Sequence, residues 1–254
     1  IEIARLPSGT LIDIPIHVIN AKEPGPTVLV QAGLHGDEIN GVETLRRLMQ
    51  DKNFTLIKGA LILVPILNIF GFIHFSRDLP DGKDVNRSFP GFKTGSLASR
   101  IAYQYTTQVI PQVNMAIDLH TGGAKRHNHP QVRFTEEDRL AKELAQAFGA
   151  PFYMSSRLIK GSFRKTMFKL NKPTLVYEAG ESMRFDEPSI ETGVDGITNV
   201  LAHLGMVKAP RHTEPSLFLT KSKWTRASRA GMFIPKTTNG STVKKGQVLG
   251  LAQE

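Results

Sequence analysis

With 254 residues, 40% hydrophobic and 22% charged, the chain has the composition of an ordinary globular protein and is too apolar to be disordered. No apolar run reaches the roughly 18 to 20 residues that cross a bilayer, and the nearest, residues 59–72, is broken by Pro65 and Asn68. The absence of cysteine excludes disulfides and thiolate metal sites, while a net charge of +9 leaves nucleic acid, an acidic substrate or simple solubility as readings.

Residues 10–19, TLIDIPIHVI, alternate apolar and polar positions and predict one half-buried strand. TVLVQAGL at 27–34 is almost continuously apolar, as a strand covered on both faces should be. Ile39, Val42, Leu45, Leu48 and Met49 then recur at helical spacing. The alternation continues with strands at 59–67, 115–120 and 174–180. Helices are marked by Ile101, Tyr105 and Val109, by Leu140, Leu144 and Phe148, and by Ile190, Val194, Ile197, Leu201 and Leu204. This order predicts an α/β fold with a mixed, mostly parallel sheet covered by helices on both faces.

Residues 71–97 lack any such period and predict a long functional loop. Residues 124–133, AKRHNHPQVR, read as a solvated basic loop that forms one wall of a pocket, with Lys125, Arg126 and Arg133 as anion contacts. No carboxylate adjoins His127 and His129 there, so a second metal site is not expected. Beyond Pro210 the helical periods vanish, and short β-prone runs alternate with Asn-Gly and Lys-Gly turns. The expected organisation is therefore an α/β domain over 1–210 and a small β module over 211–254, complete or cut short.

Chemistry concentrates at the strand tips. His35 and Glu38 stand three residues apart where a strand gives way to a helix, so their side chains can meet. His120 ends the strand MAIDLH just before a Thr-Gly-Gly turn, and Glu178 ends TLVYE in the same manner. In open α/β sheets ligands gather beyond the carboxyl ends of strands. Polar groups buried there need partners, and a metal ion with three protein ligands and one open position would supply them.

Four motifs, AGLHGDEINGVE, DVNRSFPG, AIDLHTGG and LVYEAGE, stand in that order over residues 28–182. Together they resemble those of the succinylglutamate desuccinylase and aspartoacylase family, a branch of the zinc carboxypeptidase-like fold. The resemblance implies one Zn2+ per chain held by His35, Glu38 and His120, with Glu178 as general base. It also implies that Asn86 and Arg87 grip an anionic substrate group and that Asp84 orients His35. Arg77, in the long loop just before Asp84, is the candidate for stabilising the oxyanion.

The implied activity is hydrolysis of the amide of a small N-acylated amino acid or amine. A zinc carboxypeptidase acting on peptides and a non-catalytic binding module on the same fold are the alternatives. Neither a nucleic-acid motif nor a membrane partner is expected, a homo-oligomer is left open, and a cytoplasmic location is the expectation. The basic residues 221–229 are read as approaching the active site to help hold an acidic substrate.

Overall fold

A computed structural model describes residues 1–211 and 215–253. Residues 212–214, which fall just after the expected module boundary, lie outside them, as does Glu254. The elements run β1 (Glu2–Arg5), β2 (Leu11–Asp13), β3 (His17–Asn20), β4 (Glu23–Gln31), α1 (Asn40–Gln50), β5 (Lys58–Val64), α2 (Ile69–Ile73), α3 (Leu97–Gln108) and β6 (Met115–Gly122). They continue with β7 (Asn128–Phe134), α4 (Arg139–Phe148), β8 (Phe152–Ser155), α5 (Phe163–Lys169), β9 (Thr174–Glu181), α6 (Glu187–His203), β10 (Leu217–Leu219), β11 (Met232–Pro235) and β12 (Gly250–Gln253).

The central sheet has eight strands in the order β10-β8-β7-β9-β6-β4-β5-β3. Only the β7–β9 and β3–β5 pairs are antiparallel; the other five are parallel. The sheet is thus mixed and mostly parallel, as the alternating pattern predicted.

One face packs Val28, Val30, Ile117 and Leu119 against Leu45 of α1, Leu144 and Phe148 of α4 and Ile197 and Leu201 of α6. The other sets Leu29, Ile62 and Ala116 against Ile101 and Tyr105 of α3 and Phe163 and Met167 of α5. Burial on both faces explains why these strands read as apolar runs. No helix among the described residues is long and apolar enough to cross a membrane.

The structure departs from the sequence reading in four places. Residues 10–19 are two strands: β2 joins β1 in a small separate sheet, and β3 pairs with β5. Pro15 lies between them, where it fixes φ and removes a ladder donor. Residues 128–133 are strand rather than loop, because β7 threads beside β8 and β9 despite its polar sequence. The short elements β1, α2, β8 and α5 add to the expected set, and α2 takes the first residues of the stretch read as a loop. Finally, β10 extends the large sheet alongside β8, while β11 and β12 form their own antiparallel pair.

The long stretch between α2 and α3 contains only one turn of 3-10 helix at Val85–Arg87, in keeping with a loop.

Candidate active site

The parallel neighbours β4, β6 and β9 end at one edge of the sheet, and register brings their tips together. Gln31 lies opposite Asp118, and His120 opposite Glu178. After β4 the chain turns at Gly33, whose φ of 59° is left-handed, and carries His35 and Glu38 into α1. Gly36, between them, lies flat on the backbone of α2; a Cβ there would fall 1.9 Å from the Gly71 carbonyl carbon. This contact fixes the path of the loop that holds both side chains.

His35, Glu38 and His120 meet at this edge with 3%, 2% and 6% of their surface exposed. Glu38 bridges the two rings: Oε1 is 2.8 Å from His35 Nδ1, and Oε2 is 2.8 Å from His120 Nδ1. Its Oε2 also accepts from the Thr121 backbone N–H at 3.0 Å. The far nitrogens face two further carboxylates, with His35 Nε2 at 3.4 Å from Asp84 and His120 Nε2 at 3.0 Å from Asp118.

Burial alone would raise the Glu38 carboxyl, but the charges of His35 and His120 outweigh it and hold the group well below the usual range. Burial would lower both imidazoles; Glu38 and Asp84 raise His35, and Asp118 and Glu38 raise His120.

One ligand atom from each of the three residues can be chosen so that all lie within 4.8 Å of one another. Two imidazole nitrogens and a carboxylate form a donor set that suits zinc. A divalent cation would replace the two protons that the imidazoles otherwise hold beside Glu38. Outer carboxylates that orient ligating histidines complete the fit. Asp118 was not singled out from the sequence, although its position two residues before His120 on a strand placed both on one face.

Arg77 reaches this cluster. Its Nη2 donates to Asp84 at 2.8 Å, and its Nη1 stands 3.2 Å from His35 Nδ1 and 3.6 Å from Glu38. Burial would raise the Asp84 carboxyl, but His35 and then Arg77 hold it low. Arg87 donates to the Asn86 carbonyl and lies 3.9 Å from Asp84. The side-chain carbonyl of Asn86 accepts from the Phe163 N–H at the start of α5, 2.9 Å away. Its Nδ2 amide makes no hydrogen bond among the described residues.

Glu178 stands across β6 from the cluster. Its Oε2 accepts from Asn128 Nδ2 at 2.8 Å, and its Oε1 is 3.2 Å from Arg133. Burial raises its pKa, opposed by the Arg133 charge.

His35, Glu38, His120, Arg77, Asn86 and Glu178 line one cleft of about 360 Å³, while Asp84 stands behind it. Six arginines reach it, Arg77, Arg87, Arg126, Arg133, Arg157 and Arg164, against three carboxylates, Glu38, Asp118 and Glu178. Arg164 is buried and donates to Ser156 Oγ and to the Ser156 and Arg157 carbonyls. Burial, and then the Arg133 charge, push its pKa down to about 10. It lies on the short α5, which the apolar pattern did not reveal.

Trp224, from the basic 221–229 segment, also lines the cleft. Arg126 and Arg133 stand in the wall as expected, but Lys125 is not among its lining residues. His127 is held by Asn239 and lies 3.7 Å from Asp186, while His129 stacks on Phe152.

Residues 24–204 match the family model described as the succinylglutamate desuccinylase/aspartoacylase catalytic domain. The chain is 30% identical over 249 residues to the N-alpha-acetyl-L-2,4-diaminobutyric acid deacetylase of Halomonas elongata, covering 93% of this chain and 72% of that protein. A crystal structure of a succinylglutamate desuccinylase/aspartoacylase from Rhodobacter sphaeroides superposes with a TM-score of 0.88 at 26% identity, over 100% of this chain and 81% of that one. The product-bound ectoine utilization protein EutE (DoeB) of Ruegeria pomeroyi gives 0.87 at 27% identity, over 98% and 80%.

Proposed function

Since the chain belongs to the succinylglutamate desuccinylase/aspartoacylase family, we propose that it is a zinc-dependent amidohydrolase releasing a carboxylate and a free amine from a small, anionic N-acyl amino acid. The observation that carries this reading is the buried convergence of His35, Glu38 and His120 in the same cleft as Glu178. These three residues would hold the metal, which when bound supplies Lewis acidity and makes a water in the cleft easier to deprotonate.

Glu178 accepts the proton of that water as its oxygen bonds to the acyl carbon. A partly buried carboxylate with a raised pKa is a stronger base than an exposed one. Asn128 and Arg133 hold its two oxygens. Arg77, in the cleft beside His35 and Glu38, is the cation assigned to the charge that develops on the carbonyl oxygen. As the C–N bond breaks, Glu178 passes the proton to the departing nitrogen. The Asn86 amide and the Arg87 fork hold the substrate carboxylate.

The excess of arginine favours a substrate bearing further negative charge. The three carboxylates lining the cleft are already engaged by histidine, arginine or amide groups, so none is free to receive an ammonium. The substrate named for the Halomonas relative carries such a group in its side chain, and we propose the acidic class for this chain instead.

The test is hydrolysis by zinc-loaded protein of N-acetyl and N-succinyl amino acids with acidic, neutral and cationic side chains, set against short peptides. Acidic acyl amino acids should be preferred; faster release of a C-terminal residue from peptides would make the protein a carboxypeptidase. Glu178→Gln should lower kcat by about 10²- to 10⁴-fold and leave the zinc content unchanged.

A further inference from the structure

A chain of buried polar side chains leads from helix α3 along the covered face of the sheet to His120. Tyr105 and Gln31 are 0% exposed and Asp118 is 1% exposed, among leucine, isoleucine and alanine neighbours. The Tyr105 hydroxyl donates to Gln31 Oε1 at 2.7 Å. The same amide donates through Nε2 to Asp118 Oδ1 at 2.9 Å. The other oxygen of Asp118 lies 3.0 Å from His120 Nε2.

Strand period explains the geometry. Gln31 sits two residues beyond Leu29, and Asp118 two beyond Ala116, so all four face α3. The register then sets Gln31 directly opposite Asp118.

Polar groups so deep are costly unless each finds a partner, and here the donors follow one another in a single direction. The phenol can only donate to the amide oxygen, because a carbonyl offers no proton. The amide is thereby oriented with its NH2 toward Asp118, which receives that bond on one oxygen and presents the other to His120. His120 then keeps its proton on Nε2, so that Nδ1 is the nitrogen that would give up its proton beside Glu38 and offer a lone pair to a metal.

We infer that Gln31 and Tyr105 are positioning residues which, through Asp118, fix the ring orientation and tautomer of His120 for metal binding. This rests on the reading of His120 as a zinc ligand. Neither residue touches the cleft or any ligand atom; both act through the carboxylate between them. Outer partners of this kind typically change metal affinity by about 10- to 100-fold.

The test is zinc affinity by chelator competition, with the visible spectrum of the cobalt-substituted protein as a second readout, on the wild type, Gln31→Leu and Tyr105→Phe. Tyr105→Phe removes one hydroxyl without changing shape, so it decides the matter should Gln31→Leu fold poorly. Thr198→Val, which deletes a buried hydroxyl on α6 bonded only within its own helix, controls for loss of stability.

Gln31→Leu should weaken zinc binding by about 10- to 100-fold and Tyr105→Phe by a smaller factor, both with altered cobalt spectra, while Thr198→Val leaves both readouts unchanged. A wild type that binds zinc alongside variants of equal affinity and identical spectra overturns the inference alone. A wild type that binds no zinc removes the ligand reading, and this inference falls with it.

Discussion

Gly36 and the two titrating rings beside it carry the most local consequences. A methyl group on Gly36 would collide with the backbone of α2, which cannot yield as a flexible side chain would. Gly36→Ala should therefore cost about 1–3 kcal/mol of stability and displace His35. Urea denaturation and bound zinc per chain would both report it.

The imidazoles give the metal-free protein an unusual pH dependence. The folded pKa values of His35 and His120 are raised above 6.5, so their stabilisation is complete below that value and is lost as pH climbs through the raised values. Glu38 and Asp84 are depressed, so theirs is present above the ordinary carboxylate range and lost only in strong acid. These shifts share the same contacts and are not additive. Melting temperature in chelator should peak on the acid side of neutrality, between about pH 5 and 6.5, and fall toward pH 9. Zinc binding should reverse that fall, since its ligands must shed protons; a flat profile in chelator would contradict this account.

The histidines and Glu38 were legible because strand tips and motif spacing both marked them. Asp84 was reached only through motif likeness. Arg164 and Asn128 were not legible, since they sit on elements whose sequences show no apolar period.

The short elements α5 and β7 show where sequence patterns fail and neighbours decide. α5 has seven residues, too few for a helix to persist alone. It is held by Ser162, whose hydroxyl accepts from the Lys165 N–H, by Asn86 on its first amide, and by the burial of Phe163 and Met167. The strands β4, β6 and β9 needed no such help, because two covered faces demand the continuous apolar runs that identify them.

Asn86 thus serves a helix with its carbonyl and, in the proposed function, a substrate with its amide. The two roles separate on substitution. Asn86→Asp keeps an acceptor for Phe163, so the melting temperature should hold within a few degrees, yet it replaces a donor with a negative charge and should raise KM by about tenfold or more. Asn86→Ala should lower both stability, by about 0.5–2 kcal/mol, and substrate affinity. Thermal melts beside steady-state kinetics distinguish the pair.

At the scale of the whole molecule, the proposed division into residues 1–210 and 211–254 meets the sheet at β10. That strand pairs with β8, and Phe218 packs on Phe134 and Tyr153. A chain ended after residue 210 should therefore melt lower than one ended after residue 220. Residues 220–231 are exposed and hold no helix or strand, so limited proteolysis should cut there first. Cleavage beside Trp224 opens one wall of the cleft and should raise KM more than it lowers the melting temperature.

The place of β9 between β6 and β7 sets a constraint on synthesis. When a ribosome has released the chain only as far as residue 173, the side chains proposed to hold a metal have all emerged, yet two long strands still lack their common neighbour. Unpaired edges of that kind invite association between nascent chains. The strand that ends the hazard also delivers Glu178, so translation cannot supply the proposed proton acceptor before it has sealed the middle of the protein.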